Sequence, residues 1–241
     1  MGIALSLLMA LTPLWGVSPG LLTGQIYALQ AFMNQLLLET TLGGLSLALQ
    51  RADGALFSRQ TDAPRSSSQL HPLLAELLAE ADLVPEAINL LGVSIGPGSF
   101  TGARVAVAVA EAWGLAHPHC HLVGLQTLPL VAKERGTRNE VARGEAPGFR
   151  VLTDAAGGMV YGQDFSATGQ ALAEAFCVPL AAGLASAWPV VAANLPLVEA
   201  AVHIGQISPA ALLAGLNDKA CHAPLAAVYL KPLAYQERGA R

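Results

Sequence analysis

Nine consecutive residues, Gly96-Pro97-Gly98-Ser99-Phe100-Thr101-Gly102-Ala103-Arg104, carry the densest chemical signal in the chain. Their glycines permit positive φ and close backbone approach, and Pro97 stiffens the loop. Ser99 or Thr101 can cap a helix that follows, and free N–H groups at such a helix start could receive an anion. The stretch lacks the Lys-Ser/Thr ending of a Walker A loop, so ordinary P-loop chemistry is not expected. Spacing alone leaves two readings open, a structural strand-to-helix turn and an anion-receiving one.

Other reactive residues form weaker patterns. His117-Pro118-His119-Cys120-His121 is the one dense group of metal-capable side chains. Ligands crowded on so short a loop rarely converge on one ion, so a loop of partly exposed histidines is expected. Ser66-Ser67-Ser68 has no G-x-S-x-G elbow and no evident base, and reads as a helix cap or polar turn. Cys120, Cys177 and Cys221 are odd in number, widely spaced and without a CxxC pair, as expected of buried thiols in a reducing compartment.

These residues need elements to hold them. Leu36-Leu37-Leu38 is a short apolar run, and Leu45, Leu47 and Leu49 alternate with Ser46, Ala48 and Gln50 at the period of a half-buried strand. Asp53-Gly54 signals a hairpin, with Ala55 to Arg59 returning as a third strand, so the fold opens as a β-meander. Ser67 or Ser68 can cap a helix with the apolar stripe Leu70, Leu73, Leu74, Leu77 and Leu78, and Pro85-Glu86 starts a short second one. Leu90 to Ile95 reads as a buried strand ahead of the turn from Gly96 to Gly102. Arg104 to Ala116 follows as a helix so rich in Ala and Val that it is expected to be largely buried. His121 to Gly124 is a strand and Thr127 to Lys133 a short helix. From Lys133 to Gly148 Arg, Glu and Gly replace the aliphatic residues, a candidate lobe boundary. Phe149 to Thr153 and Met159 to Phe165 then form a hairpin around Ala155 to Gly158. Pro189 to Ala193 is a further strand, Pro209 to Gly215 a helix, and Leu225 to Pro232 an extended apolar segment. Two lobes, each opening on strands, make an α/β architecture.

Composition narrows the partners. Of 241 residues 53% are hydrophobic and 12% charged, the net charge is −4, and Lys133, Lys219 and Lys231 are the only lysines. Binding a polyanion requires clustered cations, so any RNA in this protein's pathway should be gripped mainly by another protein. The first charged side chain is Glu39. The apolar run Ile3 to Trp15 has no Lys or Arg ahead of it, unlike a secretory signal, and Pro13, Gly16, Pro19 and Gly20 interrupt it as a membrane span. The expectation is that residues 1–32 are an extension before a start at Met33, with a membrane anchor as the rival.

Taken whole, the glycine-rich segment closely resembles the GPGSFTGxR signature of the TsaB (YeaZ) family, which lies between a strand and a helix. Three weaker likenesses follow in order. Leu37 to Thr41 with Leu45 to Leu49 resembles the opening "LALDTS…SVAL" strands. Asp154-Ala155 with Val160-Tyr161 resembles a "DARxxEVY" hairpin opening the second lobe, and Val228-Tyr229-Leu230-Lys231 resembles a closing "xYLR". Glu39 stands where Asp is usual, Ala156 where Arg is common, Met159 where Glu is common, and Ser66 where His is frequent.

The resemblance implies a two-lobed actin-like (ASKHA, ribonuclease H-like) α/β fold, with a first lobe over 33–135 and a second over 136–241. It implies a non-catalytic, cofactor-free subunit that pairs with the metal-bearing transferase TsaD and with the ATPase TsaE. Their product is threonylcarbamoyladenosine beside the tRNA anticodon. By the same resemblance the protein is cytoplasmic and meets tRNA only through the complex, with a homodimer as the alternative assembly open to it when alone. Thr40 and Thr41 fall where actin-like ATPases meet phosphate, as vestiges of a nucleotide contact. The residues Gly96 to Gly102 with Arg104 form the signature loop and interface. The partner's metal site needs two His at i, i+4 on one helix, and Ser67 to Glu80 holds only His71. The partner face is expected on the helix from Ala103 to Ala116, joined by that from Ser67 to Ala79. The alternative is an independent actin-like ATPase or M22-type metallopeptidase.

Overall fold

The computed structural model describes residues 33–62, 66–137, 146–195, 198 and 202–230. The amino-terminal segment 1–32, the core of the expected lobe boundary and Lys231 lie outside them.

The meander forms as read: β1 (Gln35–Glu39) pairs antiparallel with β2 (Leu45–Gln50), and β2 with β3 (Leu56–Thr61). β4 (Leu90–Gly96) then lies parallel to β1, and β5 (His121–Gln126) parallel to β4. Two parallel strands need a crossover, and the helix between them, α2 (Phe100–Ala116), supplies it. A two-residue strand near the carboxyl end, β11 (His222–Ala223), adds antiparallel to β5, so the sheet runs β11-β5-β4-β1-β2-β3. Part of the stretch expected in the second lobe therefore returns to the first sheet.

Both faces of this sheet are covered, which corrects the half-buried reading of β2. Leu45, Leu47 and Leu49 pack with Leu36, Leu38, Leu91, Val93 and Ile95 under α1 (Leu70–Glu80) and α2. Ser46 and Ala48 are 0% exposed on the opposite face. Small residues there admit a second layer of helices, α3 (Thr127–Thr137) and α5 (Pro209–Leu216). The alternation is real, but it separates two buried environments rather than core from water.

The second sheet runs β10-β9-β6-β7-β8, from β6 (Gly148–Asp154), β7 (Met159–Ser166), β8 (Phe176–Pro179), β9 (Val190–Ala193) and β10 (Val202–Ile204). β6 and β7 form the expected hairpin, with Asp154 opposite Val160 and positive φ at Ala156, Gly157 and Gly158 closing it. Phe149, Val151 and Phe165 join Leu37, Leu128, Leu130 and Leu212 in one core, so α3 and α5 sit between the sheets. The far face packs Leu152 and Val160 against α4 (Leu180–Leu184).

Two local readings need correction. The residue at the amino-terminal cap of α1 is Gln69, with no side-chain capping bond, and the serines enter through a 3-10 turn, Ser66–Gln69. The charges at the end of α3 are buried rather than marking a surface. Glu134 accepts the Ser208 N–H at 2.7 Å, and the Arg135 guanidinium lies 4.1 Å from the centre of the Phe149 ring.

Candidate functional site: a closed turn and an open helix

The signature loop stands at the carboxyl end of β4, facing the turn that follows β1. Ser99 is the cap residue of α2, its hydroxyl accepting the Gly102 N–H at 3.1 Å. This choice starts the helix at Phe100, so Phe100, Thr101 and Arg104 all lie on α2 rather than in a loop ahead of it.

The loop is bolted to the turn by backbone. The Ser99 N–H donates to the Thr41 carbonyl at 2.7 Å, and the Thr40 hydroxyl donates to the Gly102 carbonyl at 2.7 Å. A Cβ on Gly98 would stand 2.6 Å from the Thr41 carbonyl oxygen, and one on Gly102 only 1.9 Å from that of Thr40. Both contacts are to main chain, which cannot swing aside, so glycine is required at each. Gly96 has φ near +99°, and Pro97 is buried beside it.

Thr40 and Thr41, the expected phosphate-facing pair, are buried and engaged by protein. The Thr40 N–H donates to the Ser94 hydroxyl at 3.1 Å. The Thr41 N–H and hydroxyl both reach Glu39 Oε1 at 2.5 Å, and the Thr41 hydroxyl also meets that of Thr127 at 2.7 Å. Glu39 is the buried centre of this network. Burial pushes its carboxyl above the ordinary carboxylate range, while bonds from Thr41, Leu42 and Ser94 pull it back. The longer side chain at the position where Asp was expected thus turns inward to its own loop.

The outer side of the same motif is different. Arg104 is exposed; its guanidinium lies 3.9 Å from the Phe100 ring centre, and its Nε–H donates to the Tyr229 hydroxyl at 3.2 Å. The Phe100 and Tyr229 rings are 5.2 Å apart, and both are partly exposed, at 41% and 38%. Tyr229 is brought there because the Val228 N–H donates to the Ile95 carbonyl at 2.8 Å, laying the closing segment along the end of β4. Nothing in the local sequence of Tyr229 signals this meeting. Further along α2 only Gly102, Ala103, Ala106 and Ala110 are buried, whereas Ala108, Ala112 and Leu115 are exposed, Leu115 at 86%. The expectation of a largely buried helix therefore fails on one face.

Between the sheets an open pocket of about 530 Å³ is lined by Pro97, Gln126, Gln163, Leu172 and Val228 among others, with Glu174 the one charged residue among the described residues of its wall. Among the described residues no basic side chain lines it to meet a phosphate. His119 bonds the Glu86 carbonyl in the turn ahead of β5, His121 lies in β5, and no group of three or more His, Cys, Asp or Glu placed to hold a metal occurs among the described residues. Burial raises the thiols of Cys120 and Cys221 to about 11, which leaves them unreactive near neutrality. No described helix is long and apolar enough to cross a membrane.

A family model described as TsaD, tRNA N6-adenosine threonylcarbamoyltransferase, matches residues 61–208, more than half of the chain. The tRNA threonylcarbamoyladenosine biosynthesis protein TsaB of Bacillus subtilis is 32% identical over 99 residues, covering 40% of this chain and 43% of that protein. TsaB of Escherichia coli is 29% identical over 112 residues, covering 46% and 48%. The matched stretches thus span less than half the length of either relative. Among solved structures, a Pseudomonas aeruginosa protein described as similar to the peptidase YeaZ superposes with a TM-score of 0.65 at 19% identity, covering 83% of this chain and 100% of that one. YeaZ from Pseudomonas aeruginosa gives 0.60 at 20% identity, covering 76% and 89%. These two establish the shared two-sheet α/β fold. The glycine turn sits at its strand-to-helix junction in the order the signature requires, and the chain belongs to the TsaB/YeaZ branch of the TsaD family.

Proposed function

We propose that the chain is a non-catalytic subunit in the synthesis of threonylcarbamoyladenosine on tRNA, binding and activating the transferase TsaD. The observation that carries this reading is the closed junction between the β1–β2 turn and the signature loop. The N–H and hydroxyl groups of Thr40 and Thr41 that would greet a phosphate are spent on Glu39, Ser94 and Gly102, at 2.5 to 3.1 Å. Thr40 and Thr41 are, in this reading, remnants of a nucleotide contact turned to structural use. The exposed face of α2 supports the second half of the proposal, since Phe100, Ala108, Ala112 and Leu115 stand in solvent there beside Arg104 and Glu111, and their apolar surface gains free energy when a partner covers it.

In this reading TsaE joins the assembly, tRNA is met through the complex, a homodimer forms when the partner is absent, and the site of action is the cytoplasm. The net charge of −4 and a pocket whose described walls hold no cation suit a subunit that leaves RNA to others. The first lobe is assigned to 33–135 and the second to 136–241, apart from the segment that returns to the first sheet.

Reconstitution tests it. TsaD and TsaE from the same genome, supplied with ATP and an activated threonylcarbamoyl donor, are assayed for tRNA modification with and without this chain, and with a chain starting at Met33. Modification should appear only when the chain is added, and the shortened chain should serve equally. The rival reading is an independent enzyme, since the matching family model is named for a transferase. Modification of tRNA, ATP turnover or metal-dependent peptidase activity by the purified chain alone would overturn the proposal in favour of that rival.

A further inference from the structure

Arg104 has a preorganised guanidinium with no acidic partner among the described residues. Stacking on Phe100 at 3.9 Å and the bond from Nε–H to Tyr229 at 3.2 Å fix its plane. That leaves the N–H donors of the two terminal nitrogens unspent, in the fork geometry that matches a carboxylate. Arg104 makes no ion pair with a described residue, although Arg51, Arg59, Lys133 and Arg150 all do. In a chain of net charge −4, a cation held ready with no acid beside it among the described residues is conspicuous.

Its surroundings indicate what would come to it. Phe100, Arg104, Ala108 and Ala112 recur every fourth residue, forming one exposed ridge of α2, with Leu115 at 86% exposure beyond it. From Phe100 to Leu115 this face extends about 22 Å along the helix axis. Alanines in the middle admit close approach of another backbone, while aromatic rings and an arginine at one end have the composition of an interface hot spot. A nucleic acid would need several cations side by side, and the exposed ridge supplies one.

We propose that Arg104, oriented by Phe100 and Tyr229, receives an acidic side chain of the protein partner that covers the outer face of α2. This rests on the reading above that such a partner exists, and adds the chemistry of recognition to it. Rotamer freedom already lost in the free protein is not lost again on binding, so the contact should contribute more than an ordinary rim charge.

The test uses the full chain and TsaD from the same genome, with affinity measured by calorimetry at low and moderate salt. Arg104→Lys keeps the charge but loses the planar fork, and should weaken binding about tenfold. Arg104→Glu should weaken it further, and a charge reversal on the facing acidic residue of the partner should restore it. Circular dichroism of each variant should match the unsubstituted chain. If both variants bind like the unsubstituted chain while Leu115→Ser weakens binding, the arginine has no such role, although the partner reading stands. If the unsubstituted chain binds no TsaD, that reading falls and this inference with it. Direct binding of a tRNA transcript that Arg104→Glu abolishes would assign the arginine to phosphate and overturn the carboxylate.

Discussion

The inner and outer sides of one short motif are built on opposite terms. Inside, Gly98, Ser99 and Gly102 meet the Thr40-Thr41 turn at main-chain distance, the N–H and hydroxyl groups of Thr40 and Thr41 all have partners, and neither Gly98 nor Gly102 has room for a Cβ. Outside, the residues Phe100 and Arg104 of the same turn of helix stand in solvent with spare surface and spare donors. The inner side makes the motif intolerant of change for reasons of folding. The outer side gives it something to present. A motif of this kind can be strict in sequence without being catalytic.

Substitutions can separate the two sides, beginning with the largest effect. Gly102→Ala would force a Cβ to 1.9 Å from the Thr40 carbonyl oxygen. Displacing main chain at a packed junction should cost about 3 kcal/mol or more, read as a fall in the denaturation midpoint. An unchanged midpoint would mean that the loop and turn are not locked together.

Glu39→Gln probes the buried network through pH. The folded carboxyl lies above its unfolded value, so the folded state binds the proton more tightly. The stability this group contributes is present below the unfolded pKa and lost as pH rises through the folded one. In that window the slope for one proton is at most about 1.4 kcal/mol per pH unit. Glu39→Gln keeps an oxygen for the Thr41 donors and should remove that slope, leaving the variant as stable as the parent or more so at neutral pH. Parallel stability-versus-pH curves for the two proteins would contradict the burial argument.

Ser99→Ala deletes the cap of α2 and should cost about 1 kcal/mol in urea unfolding. On the open side, Leu115→Ser should change stability by no more than about 0.5 kcal/mol, because a side chain 86% exposed has little packing to lose. Its effect should appear instead as weaker partner binding. A large loss of stability there would show that the face is already covered within the protein.

Much of this was legible beforehand. The meander, β4, the β6–β7 hairpin and the helix after Pro209 follow from local apolar spacing and from turn residues such as Asp53-Gly54 and Gly157-Gly158. β8, β10 and β11 are not legible locally, because strands of two to four residues carry little pattern; β9, as short as β8, stands out only because all four of its residues are apolar. The cap of α1 was misplaced because serine propensity says nothing about where tertiary packing lets the helix begin.

The sequence by itself determined the glycine turn, its place between a strand and a helix, and the family that turn points to, since these depend on steric freedom at single residues and on short-range periodicity. Only the tertiary structure decided which way each side chain faces. It covered β2 on both faces, turned Glu39 and Thr41 inward, exposed one face of an alanine-rich helix, and carried Tyr229 across 125 positions to Arg104. Burial is a property of what packs against a residue, and the packing partner is set by long-range topology that no local window of residues contains.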